Sequence, residues 1–131
     1  MNSQALARTG RIIVGLVGVV LILAGVLKLA NLGAEDMIEG LTKANLIQHK
    51  TLISLTAIVC GVLLLIPQTF RIGVLTSTAY WGGAIVAHLT YNDSVLMPAA
   101  FLGLMWIGCW LYGNVTIGPT SSARTGGNGD N

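Results

Sequence analysis

"IIVGLVGVVLILAGVLKLA", Ile12–Ala30, decides how the rest of this chain is read. Lys28 is its only ionisable side chain, so the run has no polar face to turn toward water. A helix of about 20 apolar residues is what a hydrocarbon layer about 30 Å thick requires. The composition agrees. Of 131 residues, 53% are hydrophobic and 9% charged, and the mean hydropathy is +0.75. A water-soluble domain carries roughly 25% charged residues. The length allows one compact unit, and the solvent it calls for is lipid.

Three more segments meet the same length test: about 46–66, 72–90 and 95–113. Pro67 suits the stop of the second, and Pro98 is tolerable in the first turn of the fourth. The links "PQTFR" and "YNDS" are short, so consecutive helices should be antiparallel neighbours. The expected fold is all-α, an integral-membrane up-down four-helix bundle over residues 12–113. Residues 1–11 form an N-terminal extension. The last segment, 114–131, contains "TSSARTGGNGDN", lacks anything to bury and is expected to be disordered.

Between the first two spans, "GAEDMIEGLTKAN" sets Met37, Ile38 and Leu41 opposite Glu35, Asp36 and Glu39 at helical spacing, which predicts a short interfacial amphipathic helix. Arg8, Arg11, Arg71 and Arg124 fall on one side of the spans. Lys28, Lys43 and Lys50 share the other with Glu35, Asp36, Glu39 and Asp93. The arginine-rich side, with both termini, is expected in the cytoplasm. A cleaved leader would also place Arg8 and Arg11 before an apolar run. This run is long and no small-residue cleavage site follows it, so an uncleaved helix is expected.

In lipid, helices associate by close backbone approach, which small residues permit. Gly15, Gly18, Ile22, Gly25 and Leu29 alternate steps of three and four along the first helix, and Gly73, Thr76, Tyr80, Gly83 and Ala87 do so along the third. Both stripes are expected to be packing seams, with Gly82 beside the second.

"YWGGAIVAHLTYND", Tyr80–Asp93, holds the polar residues of greatest interest. An ionisable group within a span faces protein or water and is a candidate site. His88 lies about one turn from the end of its helix, so it either reaches water as a structural histidine or contacts a ligand, proton or partner. Lys28 lies at the same end and can snorkel. The topology brings Lys28, Gln48, His49, His88, Tyr91, Asn92 and Asp93 toward one mouth, where Lys28, Trp81, His88, Tyr91 and Asp93 are the candidate ligand-binding residues and Asp93 could pair with His88 or Lys28. Tyr80 and Trp81 sit near mid-span. Tyr80 should donate its hydroxyl to a neighbouring helix, with Thr51, Ser54 and Thr56 as possible partners.

Cys60 and Cys109 stand alone on different helices and read as small apolar residues. His49 and His88 are the only histidines, and no metal motif is present. A P-loop, a dinucleotide-binding glycine motif, a G-x-S-x-G elbow and a basic stripe for nucleic acid are also absent from the sequence.

The chain resembles DoxX-like membrane proteins. "GVLKL", "GVLLLIPQTFRIG", "GGAIVAHLTYND" and "FLGLMWIGCWLYG" occur in the family's order over roughly residues 11–113. The resemblance implies a four-helix fold in the bacterial inner membrane. It makes Lys28, Arg71, Gly82, Gly83 and His88 signature positions without established chemistry. Relatives include a subunit of a thiosulfate:quinone oxidoreductase and a component of a membrane oxidoreductase complex. Two roles follow as expectations. One is a non-catalytic accessory that packs in the bilayer against other subunits or its own copies, with no cofactor. The other is a subunit binding a small ligand or quinone at the outer mouth.

Overall fold

The computed structural model describes residues 3–33 and 35–113, and their regular structure is entirely helical. The expected tail at 114–131 lies outside the described residues. Helix α1 spans Ser3–Ala30, α2 Glu35–Lys43, α3 Lys50–Leu65, α4 Phe70–Thr90 and α5 Leu96–Tyr112. Short 3₁₀ turns, Ile47–His49 and Pro67–Thr69, lead into α3 and α4.

Local chemistry accounts for the boundaries. α1 starts well before Ile12 because "SQALARTGR" is rich in good helix formers, although it is too polar for a hydropathy reading to include. α3 stops where Ile66 turns extended (φ −83°, ψ 121°), as a residue preceding proline prefers. Asn31, Asn45 and Asn92 take left-handed backbone at φ 53°, 58° and 57°. Asparagine tolerates that region better than other residues with a Cβ. Asn31 and Asn92 thereby end α1 and α4.

α1 packs on α3 and α5, and α4 packs on the same two helices. The register is antiparallel. Gly18 meets Gly61, and further along Gly25 meets Ser54. Phe70 faces Tyr112, and further along Trp81 faces Phe101. The core is Val14, Val17 and Leu21 of α1, Ala57, Cys60 and Leu64 of α3, Phe70, Val74 and Trp81 of α4, and Met105 and Cys109 of α5.

Outside that core the helices stay apolar. Ile12, Leu16, Leu23, Leu52, Ile72, Leu75, Val86, Met97 and Trp110 are exposed. The runs Ser3–Ala30, Ile47–Leu65 and Pro67–Thr90 are long and apolar enough to cross a membrane. α5, at 17 residues, is shorter and equally apolar, and reaches about 25 Å.

The expected seams are each rotated by about one residue. α1 buries Gly10, Val14, Val17, Gly18, Leu21, Gly25 and Lys28, whereas Ile22 is half-buried and Leu29 exposed. α4 buries Phe70, Gly73, Val74, Ser77 and Trp81, with Gly83 exposed. A core must be filled by volume, and glycine supplies none. The buried stripe therefore follows valine, leucine and tryptophan, and glycines enter it only where another backbone crosses.

Gly18, Gly25 and Gly73 are such crossings. At Gly25 a Cβ would stand 2.6 Å from the Ser54 carbonyl oxygen, and at Gly18 it would stand 3.1 Å from that of Gly61. Gly15 is not a crossing, since its nearest neighbour is the tip of Leu65 at 4.0 Å. At Gly82 and Gly83 an added Cβ would meet nothing within 4 Å, so neither is a close crossing within the described chain. The crossings that the spacing did not reveal are Gly10, Gly61 and Gly108. α2 forms as expected, with Ile38 and Leu41 half-buried, Met37 exposed and Lys43 paired to Glu39 at 2.7 Å.

Candidate functional site

The two ends of the four long helices differ in chemistry. At one end Arg11 ties all four together. It donates to the carbonyl of Leu65 at 2.7 Å and more weakly to that of Leu64 at 3.5 Å, both in the last turn of α3. Its guanidinium also lies 5.3 Å from the Phe70 ring of α4 and 5.8 Å from the Tyr112 ring of α5. The unpaired carbonyls at a helix C-terminus carry partial negative charge, so a cation there is favourable. The sequence showed Arg11 only as a topological charge. Its proximity to a C-terminus 54 positions away becomes visible once α1 and α3 are aligned.

At the other end Lys28 completes the buried stripe of α1, reached from Leu21 through Gly25 by steps of four and three. It is 6% exposed, and its ammonium donates to the Tyr80 hydroxyl at 3.0 Å. α1 and α4 each pack chiefly on α3 and α5, and this bond crosses the interior between them. Two expectations are corrected. Lys28 turns inward and does not snorkel, because the side of α1 from which it projects is the packed one. Tyr80 accepts from Lys28, and its hydroxyl does not meet Thr51, Ser54 or Thr56. Thr56 bonds the Leu52 carbonyl of its own helix.

Trp81 is 8% exposed, stacks on Phe101 with centroids 5.2 Å apart and planes 10° off parallel, and meets the Tyr80 ring edge-on. Its indole Nε1 is buried without a hydrogen-bond partner, as are the hydroxyls of Ser54 and Ser77. Ser77 precedes Trp81 by one turn on the same face, and the backbone of Ser54 lies against Gly25, one turn from Lys28. The interior from the middle of α4 toward Lys28 therefore holds one ammonium and three unpartnered polar groups. Within 4.0 Å of the ammonium there is no carboxylate among the described residues.

His88, Tyr91 and Asp93 form a separate cluster at the rim. His88 Nδ1 lies 3.0 Å from the Tyr91 hydroxyl and 3.4 Å from Asp93 Oδ2. With Nδ1 protonated it donates to either oxygen, and with Nδ1 bare the phenol donates to it. The turn builds this geometry. Asn92 in left-handed backbone lets the Asp93 amide return to the His88 carbonyl at 3.0 Å, which brings the carboxylate back over the ring. Asp93 also accepts from the Ser94 amide at 2.7 Å, and Ser94 Oγ accepts from the Leu96 amide at the start of α5.

α2 lies over this rim. Gly40 abuts the Tyr91 hydroxyl, and a cleft of about 230 Å³ is lined by Asp36, Glu39, Gly40, Lys43, Tyr91 and Asp93. Burial, then the Asp93 charge, raises the Tyr91 phenol above its usual 10.0. The hydrogen bond and charge of Glu39 raise Lys43 above 10.5. Gln48 and His49 are exposed.

Of the five expected ligand-site residues, the fold thus joins His88, Tyr91 and Asp93 to one another and Lys28 to Trp81 through Tyr80. The two sets share no hydrogen bond. Tyr80 and His88 stand eight residues apart on α4, about 12 Å along its axis. Cys60 and Cys109 are both buried free thiols. Among the described residues, no three His, Cys, Asp or Glu side chains converge in a way that could hold a metal ion. No family model, curated protein or solved structure matches the chain.

Proposed function

We propose that the chain is a multi-pass membrane protein, an up-down bundle of α1, α3, α4 and α5 of the DoxX-like kind, and that it serves as a non-catalytic accessory in a larger membrane complex or an assembly of its own copies. The observation that carries this reading is the open face at Gly82 and Gly83. Gly18, Gly25 and Gly73 are spent on close approach within the chain, whereas a Cβ at either of these two adjoining glycines would meet nothing within 4 Å. Adjacent glycines cost a helix stability wherever they bring no contact. In lipid such a face favours the approach of another helix. The bundle reading is supported by the antiparallel register and by the apolar exteriors, which suit lipid contact. The charge asymmetry supports cytoplasmic termini and an inner-membrane location, with α2 at the opposite interface.

The test is purification in a mild detergent of the wild type and of Gly82→Leu and Gly83→Leu variants. A partner chain or second copy that accompanies the wild type and is lost from both variants, with thermal stability not lowered, supports the accessory role. Equal recovery from all three refutes it.

A second reading, a small-ligand or quinone subunit, is favoured by the buried Lys28 ammonium and the unpartnered indole of Trp81. A carbonyl oxygen is an acceptor that both could hold. Retention of a quinone by the wild type, and its loss from Lys28→Ala, would favour this reading.

A further inference from the structure

The interior from the middle of α4 toward Lys28 is polar in an unusual way, because its unmet capacity is mostly for donation. Lys28 carries three N–H donors and has one recorded acceptor, a neutral phenol. The Trp81 indole can only donate, and its Nε1 is unpartnered. The hydroxyls of Ser54 and Ser77, both fully buried, are also unpartnered. Groups of this kind are rarely left unpaired in a folded protein, and a buried cation is ordinarily held by an anion.

The sequence offers an easy alternative that the fold does not use. Glu35, Asp36, Glu39 and Asp93 all lie toward this end, yet none approaches Lys28. Glu39 pairs with Lys43, and Asp93 with His88. The missing partner is therefore an acceptor carrying negative charge, on a body apolar enough to lie among Trp81, Phe101 and the helix walls.

We propose that the interior between Lys28, Ser54, Ser77 and Trp81 is a binding site for an anionic amphiphile with a carboxylate or similar single-charge oxygen head. Lys28 neutralises the head, the Trp81 indole and the serine hydroxyls donate to its oxygens, and the apolar body lies against the Trp81–Phe101 stack. This rests on the small-ligand reading above and narrows it. It places the site in the interior at Lys28 and leaves His88, Tyr91 and Asp93 as a rim that closes on itself.

The experiment uses the full chain in detergent with Trp106→Phe and Trp110→Phe, so that Trp81 is the remaining tryptophan. Decanoate is the probe, with decanol and decyltrimethylammonium as controls of equal chain length. Decanoate is expected to raise the melting temperature and shift Trp81 emission, while the controls do neither. Lys28→Met should weaken decanoate binding by about tenfold or more, the loss of a charge-assisted hydrogen bond. In the absence of ligand it should be at least as stable as the wild type, because an apolar side chain of similar size replaces an unneutralised buried charge. A purely structural Lys28 would give the opposite stability result.

In the original tryptophan background, Trp81→Phe keeps the stack and loses the N–H, and should reduce the melting response without unfolding the chain. His88→Ala should leave the response intact. An equal decanoate response in wild type and Lys28→Met overturns the assignment, as does no response in either. A response lost in His88→Ala and kept in Lys28→Met moves the ligand to the rim. A wild type that answers a short-chain quinone but not decanoate keeps the ligand reading and discards the anionic head.

Discussion

Gly73→Ala and Gly83→Ala make the same chemical change on one helix, and the packing predicts opposite results. At Gly73 a Cβ would stand 2.6 Å from the Leu63 carbonyl carbon, 2.7 Å from the Leu64 nitrogen and 2.8 Å from the Leu63 oxygen. Carbon atoms in ordinary contact stand about 3.5–4.0 Å apart, so α3 and α4 must separate by most of an ångström. All three neighbours are backbone, and no rotamer change can relieve the clash. Overpacking costs about 1–3 kcal/mol, and with backbone on the receiving side the upper half of that range applies. Alanine returns about 1 kcal/mol of helix propensity, leaving a net destabilisation of about 1–2 kcal/mol. At Gly83 nothing stands within 4 Å, so only the propensity gain of up to about 1 kcal/mol remains. The variants should differ by about 2–3 kcal/mol, roughly a hundredfold in the folding equilibrium. Unfolding in mixed micelles against the mole fraction of denaturing detergent, followed by helical circular dichroism, measures the difference. Equal stabilities, or Gly83→Ala the weaker, would refute the packing account of these glycines.

Two other expectations can be checked directly. Ser3→Cys and Ser94→Cys, placed in a chain lacking Cys60 and Cys109, should be labelled from opposite sides of the membrane by an impermeant maleimide, and labelling from one side refutes the proposed up-down membrane bundle. Asp93→Asn should lower the Tyr91 phenol toward 10.0 without restoring it, since burial is the larger cause. Because that pKa is raised by folding, its contribution to stability is complete below pH 10 and is lost as pH rises through the folded value. Titration at 295 nm against Tyr91→Phe reads the shift, and an unchanged phenol excludes the Asp93 charge as a cause.

Helix positions were legible because length and hydropathy are one-dimensional properties: α3, α4 and α5 end within four residues of their expected bounds. Which face of each helix turns inward was not legible. In water a helix declares its buried face by contrast with a charged one, and Ile12–Leu27 offers none. Glycine spacing is the signal that remains, and on both α1 and α4 it points about one residue away from the buried stripe. It marks sites of permitted approach without saying which are occupied. Gly73 and Gly83 look alike in sequence and differ only in what stands opposite. The rim was easier. His88, Tyr91 and Asp93 lie within six residues, and a turn with asparagine at its left-handed position brings them together whatever the other helices do. Lys28 with Tyr80 joins residues 52 positions apart, and only the register of α1 against its neighbours could reveal it.

Arg11 and Lys28 would divide α1 between stability and the proposed binding site, and that division can be tested as a coupling. Arg11 at one end is engaged by two carbonyls and two rings, whereas Lys28 at the other has a single neutral acceptor. Seventeen residues of helix separate them, about 25 Å. Arg11→Gln deletes a hydrogen bond from a charged donor and should cost about 1–2 kcal/mol, reduced from the fully buried value because the site is partly exposed. Lys28→Met should cost nothing or stabilise. Sites this far apart without shared partners add to within about 0.5 kcal/mol, so the double variant should show the sum. A larger coupling would mean that removing the lysine lets the helices re-pack along their whole length. The ammonium would then be part of what fixes the register of the bundle, and its isolation from any acid would be structural in origin.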